Sequence, residues 1–155
     1  MKTLLTAAVC VSLLSGCKFA GPEETAIGEM LGSFVNAIAK DDKDIAMQCL
    51  MDQKAFMVLN PDAAARGDAE GFTESVVAEL VHTYQGMVRH FQGRHISMKS
   101  VRLGTPWYQY KPHSAFRDND LVLDVDGDEI TINIKGIVRI DDKWRIVDLS
   151  EMELY

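Results

Sequence analysis

Four acidic residues crowd one short stretch, Asp124, Asp126, Asp128 and Glu129. A calcium loop needs oxygen ligands at fixed places, with glycine sixth and an acid twelfth. Counted from Asp124, those places hold Glu129 and Lys135. The stretch therefore reads as the solvated tip of a hairpin. The histidines, His82, His90, His95 and His113, make no metal signature. His82 and His90 stand eight apart and do not stack as an i, i+4 ligand pair would. His95 is the histidine best placed to act, because the chain passes there from a helical period to a strand period. Trp107, Tyr108 and Tyr110 form an aromatic group beside Pro106. They suit a pocket mouth or a partner surface, or the cover of a sheet edge. Tyr84 falls in an apolar stripe, so its hydroxyl needs a ligand or a main-chain carbonyl as partner. Cys49 has no histidine near it in sequence and suits a small buried helix position. The chain contains no nucleophile elbow, phosphate loop or paired thiols. No catalytic residue, metal or cofactor is expected.

The elements that carry these residues follow from periodicity. Pro22 suits a first helical position, and Glu23 and Glu24 suit the positive end of a helix. Ile27, Met30, Leu31, Phe34 and Ile38 then recur at helical spacing, giving a helix to about Lys40. Asp42 or Asp44 can cap a second, shorter helix bearing Ile45, Ala46, Cys49 and Leu50 on one side. Between Asp52 and Gly71 the pattern is weak. Phe56 to Leu59 fits a strand or a helical turn, Asn60-Pro61-Asp62 a turn, and Ala63 to Ala65 a helical turn ended by Gly67. A long third helix runs from about Ala69 to Gln92, with Val77, Leu80, Val81, Tyr84, Val88 and Phe91 as its stripe. Gly93 stops it.

Beyond Gly93 the period is that of strands. Ile96, Met98 and Ser100 alternate, and Val101 and Leu103 fall out of phase, as at a bulge. Tyr108 and Tyr110 share one face of a second extended piece bounded by Pro106 and Pro112. His113 to Asn119 reads as a polar loop. Leu121, Leu123 and Val125 alternate up to a hairpin turn at Asp126-Gly127. Ile130, Ile132, Ile134, Val138 and Ile140 share a face of a long strand. Asp141-Asp142 turns the chain into a last strand, Trp144 to Leu149. Helices first and an antiparallel meander last give an α+β fold, with helices on one face of a curved sheet.

The first residues have a different order. Lys2 precedes an apolar run from Leu4 to Leu14, and small residues lead into a cysteine. This is the order of an export signal. The run is too short for a transmembrane helix, which needs about 20 apolar residues. Leu14-Ser15-Gly16-Cys17 resembles the lipobox of bacterial lipoproteins. The resemblance implies cleavage between Gly16 and Cys17, diacylation of the Cys17 sulfur and, usually, acylation of the new N-terminus. Two or three acyl chains hold a protein stably at a membrane. Residues 1–16 would then be the signal peptide, 17–21 the lipidated cysteine and a short tether, and 22–155 a single domain. Lys18, rather than aspartate, after the cysteine implies the outer membrane, facing the periplasm, in a Gram-negative host. Cys10 would leave with the signal and Cys17 take lipid, so Cys49 would have no disulfide partner.

Removal of 16 residues from 155 leaves 139, enough for one ordinary domain. The signal carries Lys2 alone, so a formal charge of −7 becomes −8. That balance argues against nucleic acid, whose phosphates need lysine and arginine.

Two further stretches carry a fold resemblance. Phe34-Val35-Asn36-Ala37-Ile38-Ala39-Lys40-Asp41-Asp42-Lys43-Asp44-Ile45-Ala46 is similar to the opening of nuclear transport factor two-like proteins (the cystatin-like α+β class). Asp141-Asp142-Lys143-Trp144-Arg145-Ile146-Val147-Asp148 resembles the last hairpin of that superfamily. The resemblance implies a conical pocket between helices and sheet, and in some members a dimer formed through the sheet. Its members include isomerases, dehydratases and cyclases as well as non-catalytic binders. The expectation is a membrane-anchored, non-catalytic domain that binds an envelope protein or a small ligand. An isomerase or dehydratase using the pocket, and an immunity or phage-exclusion lipoprotein, are the alternatives. Tyr84, His95, Trp107, Tyr108 and Tyr110 are the residues expected at a pocket or partner surface.

Overall fold

A computed structural model describes residues 21–149, except Asp68 and Lys111. The expected cleavage and lipidation positions, Gly16 and Cys17, lie outside the described residues. Helix α1 (Pro22–Lys40) starts at an extended Gly21 with Pro22 in its first turn. It ends where Asp41 adopts a left-handed conformation, φ 51°. The amide of Asp42 then donates to the Ala37 carbonyl and that of Asp41 to the Ile38 carbonyl. These two bonds close the helix end in a Schellman arrangement. Asp42 next caps α2 (Lys43–Cys49), accepting from the Ile45 amide. Asp52 caps α3 (Gln53–Leu59) in the same way through the Ala55 amide. The Phe56–Leu59 run is thus helical, because a capping aspartate precedes it. Helix α4 (Pro61–Ala65) is short, and Gly67 follows it at φ 74°.

Helix α5 (Ala69–Phe91) is long and ends before Gly93, φ 77°. It buries Thr73, Leu80, Tyr84, Met87 and Phe91. Val77, Val81 and Val88 are only half-buried, and Met87 takes the place expected for a valine. Ile45 of α2 is likewise 41% exposed rather than buried.

The strands are β1 (Ile96–Arg102), β2 (Thr105–Pro106), β3 (Ala115–Val125), β4 (Asp128–Ile140) and β5 (Lys143–Asp148). They form one antiparallel sheet in the order β1-β3-β4-β5, with β2 also on β3. The sheet does not close. The expected bulge falls in β1, between Met98 and Ser100. Residues paired across strands share a face. One face carries Ile96 and Met98 of β1, Leu121, Leu123 and Val125 of β3, and Ile130 and Ile132 of β4. Helix α1 packs there, with Gly32 against the Met98 methyl. Ile27, Leu31, Phe34 and Val35 of α1 are almost fully buried. Each such side chain contributes about 1.5–3 kcal/mol. The opposite face of β1, β3 and the first half of β4 carries Arg102, Asp120, Asn133, Asp124 and Glu129.

Two expectations for the sheet are corrected. Tyr108–Tyr110 is a single 3-10 turn rather than a strand. Pro106 has no amide to continue a ladder, and the Tyr110 amide folds back onto the Trp107 carbonyl. His113–Asn119 is not a loop throughout, since β3 begins at Ala115. Its first half pairs with Gly136 to Val138 of β4. It is polar because Arg117 and Asp118 stay exposed.

Candidate functional site

The break between β1 and β2 sets up the aromatic group. Asp118 is left-handed at φ 59°, so β3 departs there from regular pairing. Asn119, fully buried, fills the gap with its side chain. Its Oδ1 accepts from the Gly104 amide, and its Nδ2 donates to the carbonyls of Phe116 and Ile134. A β-carbon on Gly104 would stand 1.9 Å from the Arg117 carbonyl oxygen, so only glycine fits. This junction delivers Thr105 and Pro106 back onto β3 in register with Arg117 and Phe116.

Trp107 follows directly, its amide donating to the Ala115 carbonyl at 2.8 Å. Its ring lies over Gly136 of β4. Tyr110 meets the indole edge-on, with ring centroids 4.7 Å apart. Gly136 is paired across the ladder with Asp148 of β5. The glycine is therefore flanked by the Trp107 ring, Val147 and Asp148. Trp107, Tyr110 and Asp148 each keep partial exposure.

Asp148 has no hydrogen bond or ion pair among the described residues. Burial pushes its carboxyl above the usual carboxylate range, Lys135 opposes the shift and Glu79 of α5 adds to it. Burial also raises the Tyr110 phenol, and the Asp148 charge raises it further. A carboxyl and a phenol, each held toward its neutral form beside an indole, make a mixed aromatic and acidic site.

The residues singled out from sequence do not all gather there. Trp107 and Tyr110 do. Tyr108 is 68% exposed. Tyr84 is buried in the helical layer, 6.1 Å from the Phe34 ring, and donates to the Ala37 carbonyl at 3.4 Å. His95 is exposed where α5 gives way to β1, and its amide donates to Asp126. Arg94 pairs with the same carboxylate at 2.8 Å, which holds Asp126 below the usual range. Asp124 accepts from the Gly127 amide, and Glu129 pairs with Lys99. The acidic stretch is thus a braced hairpin tip, and among the described residues no cluster suits a metal.

A cleft of about 130 Å³ opens between α3 and the β4–β5 turn, lined by Asp52, Lys54, Ala55, Ile140, Asp141, Lys143 and Arg145. Most of its charges are matched. Arg145 lies 3.4 Å from Asp52 and donates to the Leu50 carbonyl, and Lys54 pairs with Asp141. These contacts tie the helices to the sheet.

Sequence reasoning missed Gly136 and Asp148. Both left a signal. Gly136 interrupts a stripe of Ile130, Ile132, Ile134, Val138 and Ile140, and a lone glycine inside a strand marks a close approach. Asp148 is a single acid between Val147 and Leu149.

No family model matches the chain, and no curated protein or solved structure matches it. Among the described residues no helix is long and apolar enough to cross a membrane.

Proposed function

We propose that this chain is a lipid-anchored protein of the bacterial cell envelope whose α+β domain binds a small ligand or a protein without chemical turnover. The anchor rests on Leu14-Ser15-Gly16-Cys17. Binding rests on one observation above all. A half-buried carboxylate, Asp148, has no hydrogen bond or ion pair among the described residues and lies beside an aromatic pair, Trp107 and Tyr110. Unmatched polar groups in a partly apolar setting are expected where a ligand completes them. On this reading the sheet and helices form the conical pocket of nuclear transport factor two-like proteins, with these residues at its mouth.

The isomerase or dehydratase reading draws on the same carboxyl, since a raised carboxylate suits proton transfer. Asp148 and Tyr110 share no hydrogen bond, and the binding reading is preferred for that reason. A dimer through the sheet would cover the Arg102–Asp120 and Lys99–Glu129 pairs. The cost of desolvating those charges offsets much of the contact, so the domain is proposed to act as a monomer.

Mass spectrometry of the protein extracted from membranes tests both halves. The expected N-terminal fragment begins at an acylated Cys17, and Cys17→Ser leaves the protein in the soluble fraction. A fragment that retains Lys2 in both membrane and soluble fractions would sink the anchor. Native spectra of the detergent-released protein are expected to carry one small molecule or protein, lost on replacing Trp107 or Asp148. Retention of that molecule by both variants would move the site elsewhere.

A further inference from the structure

We propose that Trp107, Tyr110 and Asp148 form a site for a small organic cation, with an ammonium group seated between the aromatic pair and the carboxylate. The inference rests on the reading of this group as a ligand site and adds the chemical class of the ligand.

Three features point the same way. The first is the carboxylate. A half-buried charge without a partner is unfavourable unless a counter-charge arrives. Asp148 makes no ion pair or hydrogen bond among the described residues; Lys135 acts on it only from a distance, and Arg145, three residues back, is already engaged by Asp52 and Leu50. The second is the aromatic pair. The face of an indole or phenol attracts a cation within about 6 Å of its centre, most strongly where water is excluded. Trp107 and Tyr110 stand edge to face at 74°, so their faces point in different directions rather than closing on each other. The third is the order already built in. Gly136 lets the indole sit against β4, and the same glycine is paired with Asp148. Ring and carboxylate are therefore fixed to one point of the sheet, and little ordering remains to be done on binding.

A ligand seated here would meet two carboxylates, Asp148 and Glu79, and one cation, Lys135, whose pull on Asp148 exceeds the push of Glu79. An anion would face two carboxylates. A neutral apolar ligand would bury Asp148 further and leave its charge unmatched. The raised carboxyl also gives a pH dependence with a defined sign. Binding weakens as pH falls through the Asp148 pKa, because the neutral acid no longer attracts an ammonium. Glu79 and Lys135 act on the same carboxyl in opposite directions, and the Asp148 charge acts in turn on the Tyr110 phenol.

Nuclear magnetic resonance of the full chain in non-ionic detergent micelles tests the proposal. The probes are choline, spermidine and the uncharged carbon isostere of choline. The Trp107 indole signal reports the site, and that of the buried Trp144 serves as internal reference. Choline or spermidine is expected to shift the Trp107 signal saturably. The uncharged isostere should bind about tenfold or more weakly than choline, as a desolvated cation–ring contact implies. Asp148→Asn should weaken the cation by a similar factor and leave the isostere unchanged. An unaltered Trp144 signal shows that this variant is folded. Should that variant disturb Trp144, Glu79→Gln, at an exposed position, is expected to weaken the cation to a smaller degree. Equal binding of choline and its isostere, or no shift with either cation, overturns the cation assignment. Crosslinking of another ligand or a protein at Trp107 would then still support the broader binding reading. Absence of any such capture would remove both.

Discussion

Trp107 occupies the space that a side chain at position 136 would need. A β-carbon built on Gly136 would stand 2.5 Å from the indole and 2.9 Å from a Val147 methyl. Gly136→Ala must therefore displace the ring or distort the ladder to β5. Overpacking of this kind costs about 1–3 kcal/mol. Urea denaturation should give that loss, with a change in tryptophan emission of the folded protein. The cost should shrink when Trp107→Ala is already present, leaving the Val147 contact alone. An equal cost in both backgrounds would mean that the ring is not the obstacle.

Asp148 should make the protein less stable at neutral pH than its neutral analogue. Its folded pKa is raised by burial, so the folded state holds its proton more tightly than the unfolded chain. That contribution is fully present below the unfolded carboxylate pKa and is lost as pH rises through the folded one. Asp148→Asn is expected to raise the denaturation midpoint at pH 7, and to change it little in acid where Asp148 is already neutral. A residue that lowers stability in this way fits a binding role better than a structural one. A destabilising Asp148→Asn at neutral pH would overturn the account.

The helices were the most legible part of the sequence. Asp42 sits where capping demands it, and Gly67 and Gly93 take positive φ at the expected stops, whereas the Asp52 cap that makes α3 a helix lies in a stretch whose pattern is weak. These are local rules, carried by residues within one turn of the effect. The Asp126-Gly127 and Asp141-Asp142 turns were legible for the same reason, each with left-handed geometry. The region from Gly104 to Asn119 was not. Its shape comes from contacts between residues 15 apart, such as the Gly104 amide on Asn119. Alternation of Tyr108 and Tyr110 imitated a strand, while the polar start of β3 imitated a loop. Half of the aromatic site was visible as residue types. Its acidic half became visible only when β4 and β5 were set in register, because Gly136 and Asp148 are joined by the ladder rather than by spacing.

Asn119 holds that region together. It is fully buried and bonds the Gly104 amide and two carbonyls through one side chain. Asn119→Ala would leave those groups without partners, at about 1–3 kcal/mol for each unsatisfied buried group. Hydrogen exchange should localise the loss, with the Gly104 amide and the Trp107 amide losing protection together. If Gly104 exchanged faster while Trp107 kept its protection, the side chain would not be what delivers β2 to the sheet.

Cys49 should be a silent thiol. It is buried between α1 and α2, with its sulfur donating to the carbonyls of Met30 at 3.6 Å and Ile45 at 3.4 Å. Burial pushes its pKa up to about 11, against a small opposing effect of Arg145. The thiolate is the reactive form, so a peptide map after iodoacetamide treatment of the folded protein at pH 8 should show Cys49 unmodified. Unfolding should make it react fully. Sign and range follow for stability too. The neutral thiol is favoured in the folded state, so this contribution holds below the unfolded thiol pKa and falls away as pH rises from about 9 toward about 11. Cys49→Ala should remove that alkaline loss while forfeiting some packing at lower pH. Rapid alkylation of the native protein would instead make Cys49 an accessible nucleophile.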